Sequence, residues 1–146
     1  MSGRHEAGRP GVPFLLEIPT RWYDNDIYGH VNNVEYLAFF DTVINTYLIT
    51  KGGLDIQDGP VIGLCAESHC RYRAAFTFPE TVVAELRVGK LGRTSVRYEV
   101  ELSRRDDKEP AASGYFVHVF VDRATRRPTE IPARIREALQ ALSSES

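Results

Sequence analysis

The spacing of the stretch NVEYLAFFDTVINTYLITK, residues 33–51, predicts a helix that is apolar on almost every side. Leu37, Ile44 and Leu48 fall on one face, and aromatic residues border that face. The polar side is narrow, and apolar residues interrupt it. The segment is too short and in part too polar for a membrane span, so other parts of the chain must enclose it.

Four segments after this helix have the alternating apolar pattern of strands. In one of them Val96, Tyr98 and Val100 fall on one face, while Arg97 and Glu99 fall on the other. Such alternation predicts an antiparallel sheet with one packed face and one wetter face. The predicted elements are strands over 14–23, 60–73, 81–92, 94–105 and 112–123, the helix over 33–51 and a terminal helix over 132–146. This order predicts an α+β fold in which a curved antiparallel sheet wraps around one long helix.

Length and composition predict a single globular domain. The chain has 146 residues, of which 42% are hydrophobic and 26% are charged. Residues 1–12 are rich in Gly, Pro and Arg and are expected to form a disordered tail, which leaves one domain over 13–142. The net charge of −2 gives no reason to expect nucleic acid or an anionic membrane as a partner. No signal peptide or membrane span is recognisable, so we expect a cytoplasmic protein.

The cysteines and histidines predict no metal site. Cys65 and Cys70 are five residues apart in a predicted strand, so we expect them on opposite faces and as free thiols. Their spacing is unlike that of a zinc site. His118 alternates with Phe116 and Phe120, which favours a packed histidine over a catalytic one. We therefore expect no bound metal.

The segment that ends at Asn33, RWYDNDIYGHVNN, has more ionisable chemistry than a strand end needs. Asn32, with Glu35 three residues later, has the spacing of a capping box, so the asparagines could serve only as helix caps. A helix N-terminus also presents unpaired N–H groups and a positive potential, which suit an anion or a developing oxyanion. Asp26 lies seven residues before Asn33 and would sit over the helix start if residues 28–29 form a turn.

An aspartate at this place has a chemical interpretation and a structural one. It could take a proton from water or attack an acyl carbonyl that the helix N–H groups polarise. Alternatively, Asp26 only makes a turn contact or interacts with the helix charge. The alternation of the segment does not single out Asp24, and Gly29 is expected to adopt a backbone conformation that other residues resist.

The sequence DNDIYGHVNNVEYLAFFD resembles the signature of hotdog-fold acyl-CoA thioesterases of the 4-hydroxybenzoyl-CoA thioesterase type. Asp26, Gly29, Tyr36 and Asp41 occupy the positions of that pattern. The likeness extends more loosely over residues 14–122 and includes GKLGRTSV, where the family has a Gly-basic-Ser turn between two strands.

The resemblance implies a hotdog fold, in which two chains pair their sheets edge to edge as a dimer or a dimer of dimers. The active sites then lie at the subunit interface. It also implies that Asp26 is the catalytic carboxylate and that a backbone N–H near Asn33 polarises the thioester. Coenzyme A is part of the substrate in such an enzyme, and no separate cofactor is implied.

Two other assignments of the acid–base residues stay open. In a second branch of the family the catalytic acid is a glutamate inside the helix, and Asp41 is the nearest candidate, either as a buried carboxyl with a raised pKa or as a satisfied structural acid. The run HVNN is also similar to plant-type acyl-carrier-protein thioesterases, whose aspartate precedes a histidine by four. Asp26 and His30 fit that spacing, but Tyr28 stands where the intervening asparagine is expected. His30 is therefore either an orienting residue or a local hydrogen-bond partner.

The rest of the substrate needs a slot for the pantetheine arm and, in CoA, a site for phosphates. Lys and Arg side chains beside the backbone N–H groups of a turn can bind phosphate, and solvated charge at strand ends is the alternative. Residues near the helix start could contact the acyl group. The candidate substrate-binding residues are Tyr28, Gly29, Tyr36, Arg71, Arg73, Lys90, Gly92, Arg93 and Thr94.

The leading functional hypothesis is hydrolysis of an acyl-CoA to the free acid and CoA. Hydrolysis of an acyl-carrier-protein substrate is one alternative, and dehydration of a hydroxyacyl thioester is another. A third alternative is a non-enzymatic acyl-CoA-binding module. Nothing in the chain resembles a DNA-binding helix or a basic arm, so a nucleic-acid partner is not expected.

Overall fold

The computed structural model describes residues 11–143, so residues 1–10 of the predicted tail and residues 144–146 lie outside the described residues. The chain forms strands and helices in the predicted order. The elements are β1 (Phe14–Pro19), a 3-10 turn (Trp22–Asp24), α1 (Val34–Thr50), β2 (Val61–Tyr72), β3 (Thr81–Leu91), β4 (Ser95–Ser103), β5 (Ala112–Asp122) and α2 (Ala133–Leu142). The strands form a five-stranded sheet in the order β1-β3-β4-β5-β2. All neighbouring strands are antiparallel, which confirms the predicted α+β class.

The core lies between α1 and one face of the sheet. Phe40, Val43 and Ile44 are fully buried on the helix side. On β4 the predicted alternation is confirmed, because Tyr98 is buried while Arg97 is exposed on the opposite face. The long helix is enclosed only on its sheet side in the single chain, since several side chains along its other side are exposed.

The two edges of the sheet differ in length. β1 has six residues and ends at Pro19, whereas β2 has twelve residues. β2 contains a register shift that leaves Ala66 without a partner on β5. As a result Cys65 is opposite His118 and Cys70 is opposite Gly114, and both of these partners lie on the helix side of β5. The prediction that the cysteines face opposite sides is therefore wrong, while both are free thiols as expected.

The first predicted strand is shorter than expected. It ends at Pro19, and residues 22–24 form the 3-10 turn instead of continuing the strand. Pro19 has no N–H to donate to a ladder, which is consistent with a strand end. Within residues 11–143, no helix has both the length and the apolar character needed to cross a membrane.

The direction of α1 decides which residues can meet. Its N-terminus lies at the end of the sheet where β2 finishes, because the Tyr72 hydroxyl donates to the Asn33 carbonyl at 3.2 Å. The turn between β3 and β4 lies at the other end of the sheet. β4 alone spans nine residues, so the two ends are roughly 30 Å apart.

Candidate active site

The residues directly before α1 form a small hairpin. Three backbone contacts join residues 24–26 to residues 30–32: the Asn25–Val31 bridge, the Asp26 N–H to the His30 carbonyl at 2.8 Å, and the Asn32 N–H to the Asp24 carbonyl at 2.8 Å. The hairpin therefore returns the chain from Asp26 to the start of the helix.

The tip of the hairpin is a tight turn that holds the Asp26 carboxylate. The Gly29 N–H donates to the Asp26 carbonyl at 3.1 Å, and the Tyr28 N–H donates to Asp26 Oδ1 at 2.9 Å. Gly29 has a φ of +82°, a left-handed conformation that favours glycine. The predicted turn and the predicted special conformation of Gly29 are both confirmed.

One backbone donor at the start of α1 is available, the N–H of Asn33. Asn32 caps the helix, because its Oδ1 accepts the Val34 N–H at 3.0 Å and its carbonyl accepts the Glu35 N–H at 2.9 Å. The Tyr36 N–H donates to the Asn33 carbonyl at 3.2 Å. In the described part of the chain, the Asn33 N–H has no acceptor. An unpaired donor at a helix N-terminus is suited to stabilise a developing negative charge.

The capping box itself is only half present. Asn32 supplies the side-chain cap, but the side chain of Glu35 does not return to the Asn32 N–H, because that donor is bound to the Asp24 carbonyl. Glu35 instead has an oxygen 3.7 Å from the Arg21 guanidinium. The predicted reciprocal contact is therefore wrong.

The loop between β2 and β3 is joined to the hairpin by two hydrogen bonds. The Phe78 N–H donates to Asn25 Oδ1 at 3.1 Å, and the Val31 N–H donates to the Phe76 carbonyl at 2.8 Å. Tyr36, predicted to bind substrate, is buried, and its hydroxyl accepts the Phe76 N–H at 3.1 Å. In this structure Tyr36 thus supports the hairpin from the core and is not accessible to a ligand.

Sequence reasoning missed the most buried carboxylate of the hairpin. Asp24 is 2% exposed, and its carboxylate accepts hydrogen bonds from Arg21 Nη2 at 2.8 Å, from Nε at 3.1 Å and from the Arg21 N–H at 2.8 Å. Burial opposes the charged form, but these hydrogen bonds outweigh it and lower the pKa of Asp24. Opposite charges three residues apart, next to a turn, were the only signal in the sequence.

Large apolar side chains surround Asp26 and are open to solvent. An open cavity of about 460 Å³ lies beside the carboxylate and is lined by Trp22, Tyr23, Asn25, Asp26, Ile27 and Gly29. Trp22, Tyr23, Ile27 and Tyr28 are each more than 70% exposed. Exposed apolar groups in such a cluster indicate a binding or interaction surface.

The other two acid–base candidates, His30 and Asp41, are both exposed but lie on different elements. His30 is exposed on the hairpin, and its carbonyl accepts the Asp26 N–H at 2.8 Å. Asp41 is exposed on α1, and its Oδ1 accepts a hydrogen bond from Asn45 Nδ2 at 3.0 Å. The alternative of a buried Asp41 carboxyl is therefore wrong, because this position lies on the side of α1 that the sheet does not cover.

The structure divides the predicted phosphate-binding residues between both ends of the sheet. Arg71 and Arg73 are exposed at the same end as Asp26. Arg71 lies on the face that points away from α1, because it pairs with Ser113. Arg73 forms an exposed ion pair with Glu109 at 3.7 Å.

The second group belongs to the distant turn between β3 and β4. Lys90 and Arg93 are exposed there, and Arg93 forms an ion pair with Glu130 at 2.9 Å. The Gly92 N–H already donates to the Ser95 carbonyl at 2.8 Å. Thr94, through its carbonyl, accepts the Phe120 N–H. A single chain thus does not bring these four residues, 90 and 92–94, close to Asp26.

No group of three or more His, Cys, Asp and Glu side chains within residues 11–143 is arranged to hold a metal ion.

Similar solved structures agree with this fold. The PA5185 protein from Pseudomonas aeruginosa strain PAO1 is 55% identical, with a TM-score of 0.88 over 90% of this chain and 92% of that chain. The PA2801 protein from Pseudomonas aeruginosa is 33% identical, with a TM-score of 0.80 over 85% and 95% of the two chains. A DHNA-CoA thioesterase from Staphylococcus aureus shares the fold at 23% identity, with a TM-score of 0.72 over 80% and 78%.

The sequence comparison defines the family. No curated protein sequence matches the chain. A family model described as the thioesterase-like superfamily matches residues 20–139, which include the hairpin, α1 and all strands after it. The chain therefore belongs to the thioesterase-like superfamily and has the hotdog fold.

Proposed function

We propose that this protein is an acyl-CoA thioesterase that hydrolyses its substrate at the hairpin before α1. One observation carries the proposal. The Asp26 carboxylate lies on a hairpin whose backbone is bonded to the cap of α1, and the Asn33 N–H at that helix start has no acceptor within residues 11–143. Membership of the thioesterase-like superfamily supports a thioester as the substrate.

The two groups supply the two requirements of thioester hydrolysis. The thioester carbonyl oxygen would accept a hydrogen bond from the Asn33 N–H, which stabilises the negative charge that forms on it. Asp26 would either take a proton from the attacking water or attack the carbonyl itself. In both routes the carbon–sulfur bond breaks, and CoA leaves as a thiolate that takes up a proton. When water attacks, the free acid forms directly. When Asp26 attacks, an acyl–Asp26 anhydride forms, and water then hydrolyses it to release the free acid and restore the carboxylate.

The surroundings of Asp26 favour an apolar acyl group. The cavity of about 460 Å³ beside the carboxylate is lined by Trp22, Tyr23 and Ile27. These side chains are exposed in the single chain, and an apolar acyl group would remove part of their surface from water. His30 is exposed near the same carboxylate and could orient the substrate or water.

Self-association would complete this site. β2 is a twelve-residue edge strand without proline or lysine, and such an edge is open for pairing with another strand. A two-fold pairing of β2 with a second β2 is antiparallel. The end of one sheet that carries the hairpin would therefore lie beside the end of the other sheet that carries the turn between β3 and β4. The partner's Lys90 and the partner's Arg93 would then lie at the same end of the paired sheet as Asp26.

A substrate screen tests the proposal. Purified protein is incubated with acetyl-, octanoyl-, palmitoyl- and benzoyl-CoA and with one acyl-carrier protein, while free thiol is measured and products are identified by mass spectrometry. We expect release of free thiol and free acid from at least one acyl-CoA that has an apolar acyl group.

The other outcomes identify the alternatives. Hydrolysis of the acyl-carrier protein alone would replace CoA by a carrier protein as the substrate. Loss of water from a 3-hydroxyacyl-CoA without release of thiol would indicate a dehydratase. Binding of acyl-CoA by calorimetry, without any turnover, would indicate a binding module and would contradict the proposed hydrolysis.

A further inference from the structure

Asp24 is unusual among the carboxylates of this protein. Within residues 11–143 it is the one carboxylate that is buried, at 2% exposure, although the aromatic residues just before it, Trp22 and Tyr23, are more than 70% exposed. A buried carboxylate is costly unless it is paired and hydrogen-bonded. The chain thus keeps a charged group in a hairpin position that is shielded from water.

The backbone of Asp24 is bonded to the cap of α1. Its carbonyl accepts the N–H of Asn32, the residue whose side chain caps the helix. In the first arm of the hairpin, Asp24 is therefore the residue bonded to the helix cap, and Asp26 is two residues further toward the turn. A shift of Asp24 would move Asp26 relative to the Asn33 N–H.

Arg21 connects the same hairpin to the helix by side chains. Its guanidinium binds Asp24 Oδ1 at 2.8 Å and lies 3.7 Å from Glu35 in the first turn of α1. Its backbone N–H donates to the second oxygen of Asp24 at 2.8 Å. Both carboxylate oxygens of Asp24 are thus occupied by one residue, which is the arrangement of a clamp.

The Asp26 carboxylate has no comparable support of its own. The one hydrogen bond that its side chain makes within residues 11–143 comes from the Tyr28 N–H in the same turn. Its position is therefore set by the hairpin backbone and not by a neighbouring side chain. Whatever fixes that backbone to α1 also fixes the carboxylate.

We propose that Asp24, clamped by Arg21, is a positioning residue: it fixes the place of the Asp26 carboxylate relative to the Asn33 N–H. Asp24 does not touch the substrate in this scheme, and it acts only through Asp26. The inference rests on the proposed function, because it assigns the geometry of the same site.

The test compares Asp24→Asn with a matched control, Glu17→Gln. Glu17 forms a similar pair with Arg105, with contacts of 2.9 and 3.1 Å, on the edge strand β1 and away from the hairpin. Kinetics use the acyl-CoA that the wild-type protein hydrolyses fastest. We expect Asp24→Asn to lower kcat by about 10- to 100-fold with KM changed less than about threefold, since a small misplacement of a reacting group has this effect. Glu17→Gln should match the wild type.

A double variant separates positioning from general destabilisation. If Asp24 acts through Asp26, then Asp24→Asn should lower the residual rate of Asp26→Asn no further. If Asp24→Asn does not fold, Arg21→Gln removes the guanidinium contacts to Asp24 Oδ1 and should lower kcat in the same direction. The fraction of folded protein is checked by thermal melting before each assay.

The results that would overturn the inference are distinct. An active wild type, with Asp24→Asn or Arg21→Gln as fast as Glu17→Gln, would overturn the positioning role alone. Rate losses of Asp24→Asn and Asp26→Asn that multiply in the double variant would also overturn it. A wild type that hydrolyses no acyl-CoA would overturn the proposed function and this inference together.

Discussion

Two buried titratable side chains, Asp24 and His118, differ in charge: one is charged and paired, and the other is neutral. Asp24 stays charged because Arg21 binds both of its oxygens. His118 is 3% exposed, its Nδ1 is 3.0 Å from the Tyr98 hydroxyl, and it has no charged partner among the described residues. Burial therefore lowers the pKa of His118 to about 4, and the imidazole is neutral at pH 7.

This burial predicts that acid destabilises the fold through His118. The unfolded chain binds a proton near pH 6.5 and the folded chain only near pH 4, so stability is present above pH 6.5 and is lost as the pH falls toward 4. We expect a loss of about 2 to 3 kcal/mol in the free energy of unfolding between pH 7 and pH 4.5. Urea unfolding at a series of pH values measures this loss.

The control for this prediction removes both polar groups of the pair. In the double variant His118→Leu/Tyr98→Phe, neither a buried imidazole nor an unpaired hydroxyl remains. Its free energy of unfolding should depend less on pH over the same range. An equally steep loss in the double variant would show that other groups cause the acid sensitivity.

At the scale of elements, the sequence predicted what depends on local periodicity. The apolar spacing of α1 and the alternation along β4 identified both elements, and their bounds agree within two residues. The face on which Cys65 lies could not be predicted, because it depends on the bulge at Ala66, and a bulge is defined only by the pairing with β5.

In the hairpin before α1, too, the local features were predicted and the contacts with distant residues were not. The glycine turn and the cap by Asn32 follow from local residue types, and both were predicted. The role of Asp24 was not, because its burial results from a backbone bond to Asn32 and from the position of the Arg21 side chain. The support of the hairpin by Phe76 and Phe78 likewise arises from residues more than forty positions away.

The two edge strands allow a direct prediction about pairing. In the single chain, β1 bonds only to β3, and β2 bonds only to β5. If two copies pair through β2, the amides of β2 that point away from β5 should be protected from hydrogen exchange, while the outward amides of β1 should exchange freely. Exchange measured by NMR at residue resolution, with sedimentation equilibrium for the mass, tests this.

The comparison of the edges provides its own control. Protein concentration should change the protection of the outward β2 amides and leave that of β1 unchanged, because only the paired edge depends on association. Fast exchange of the outward β2 amides in a sample that sediments as a monomer would contradict pairing through this edge.

In the molecule as a whole, the fold brings the proposed reacting groups to one end of the sheet. Asp26 lies on the hairpin, the Asn33 N–H lies directly before α1, and the loop between β2 and β3 is hydrogen-bonded to the hairpin. The turn that contains Lys90 lies roughly 30 Å away along the sheet. A site that uses both ends would therefore require a second copy, whereas the two proposed hydrolytic groups belong to one chain.

The role of Asp26 is tested by kcat/KM for acyl-CoA hydrolysis in the wild type, Asp26→Asn and Asp41→Asn. Asp41 is an exposed aspartate on α1 and serves as the matched control. We predict that Asp26→Asn lowers kcat/KM by about 100-fold or more while the protein keeps its melting temperature and mass, and that Asp41→Asn stays near the wild type. A folded Asp26→Asn protein with wild-type kcat/KM would contradict the account.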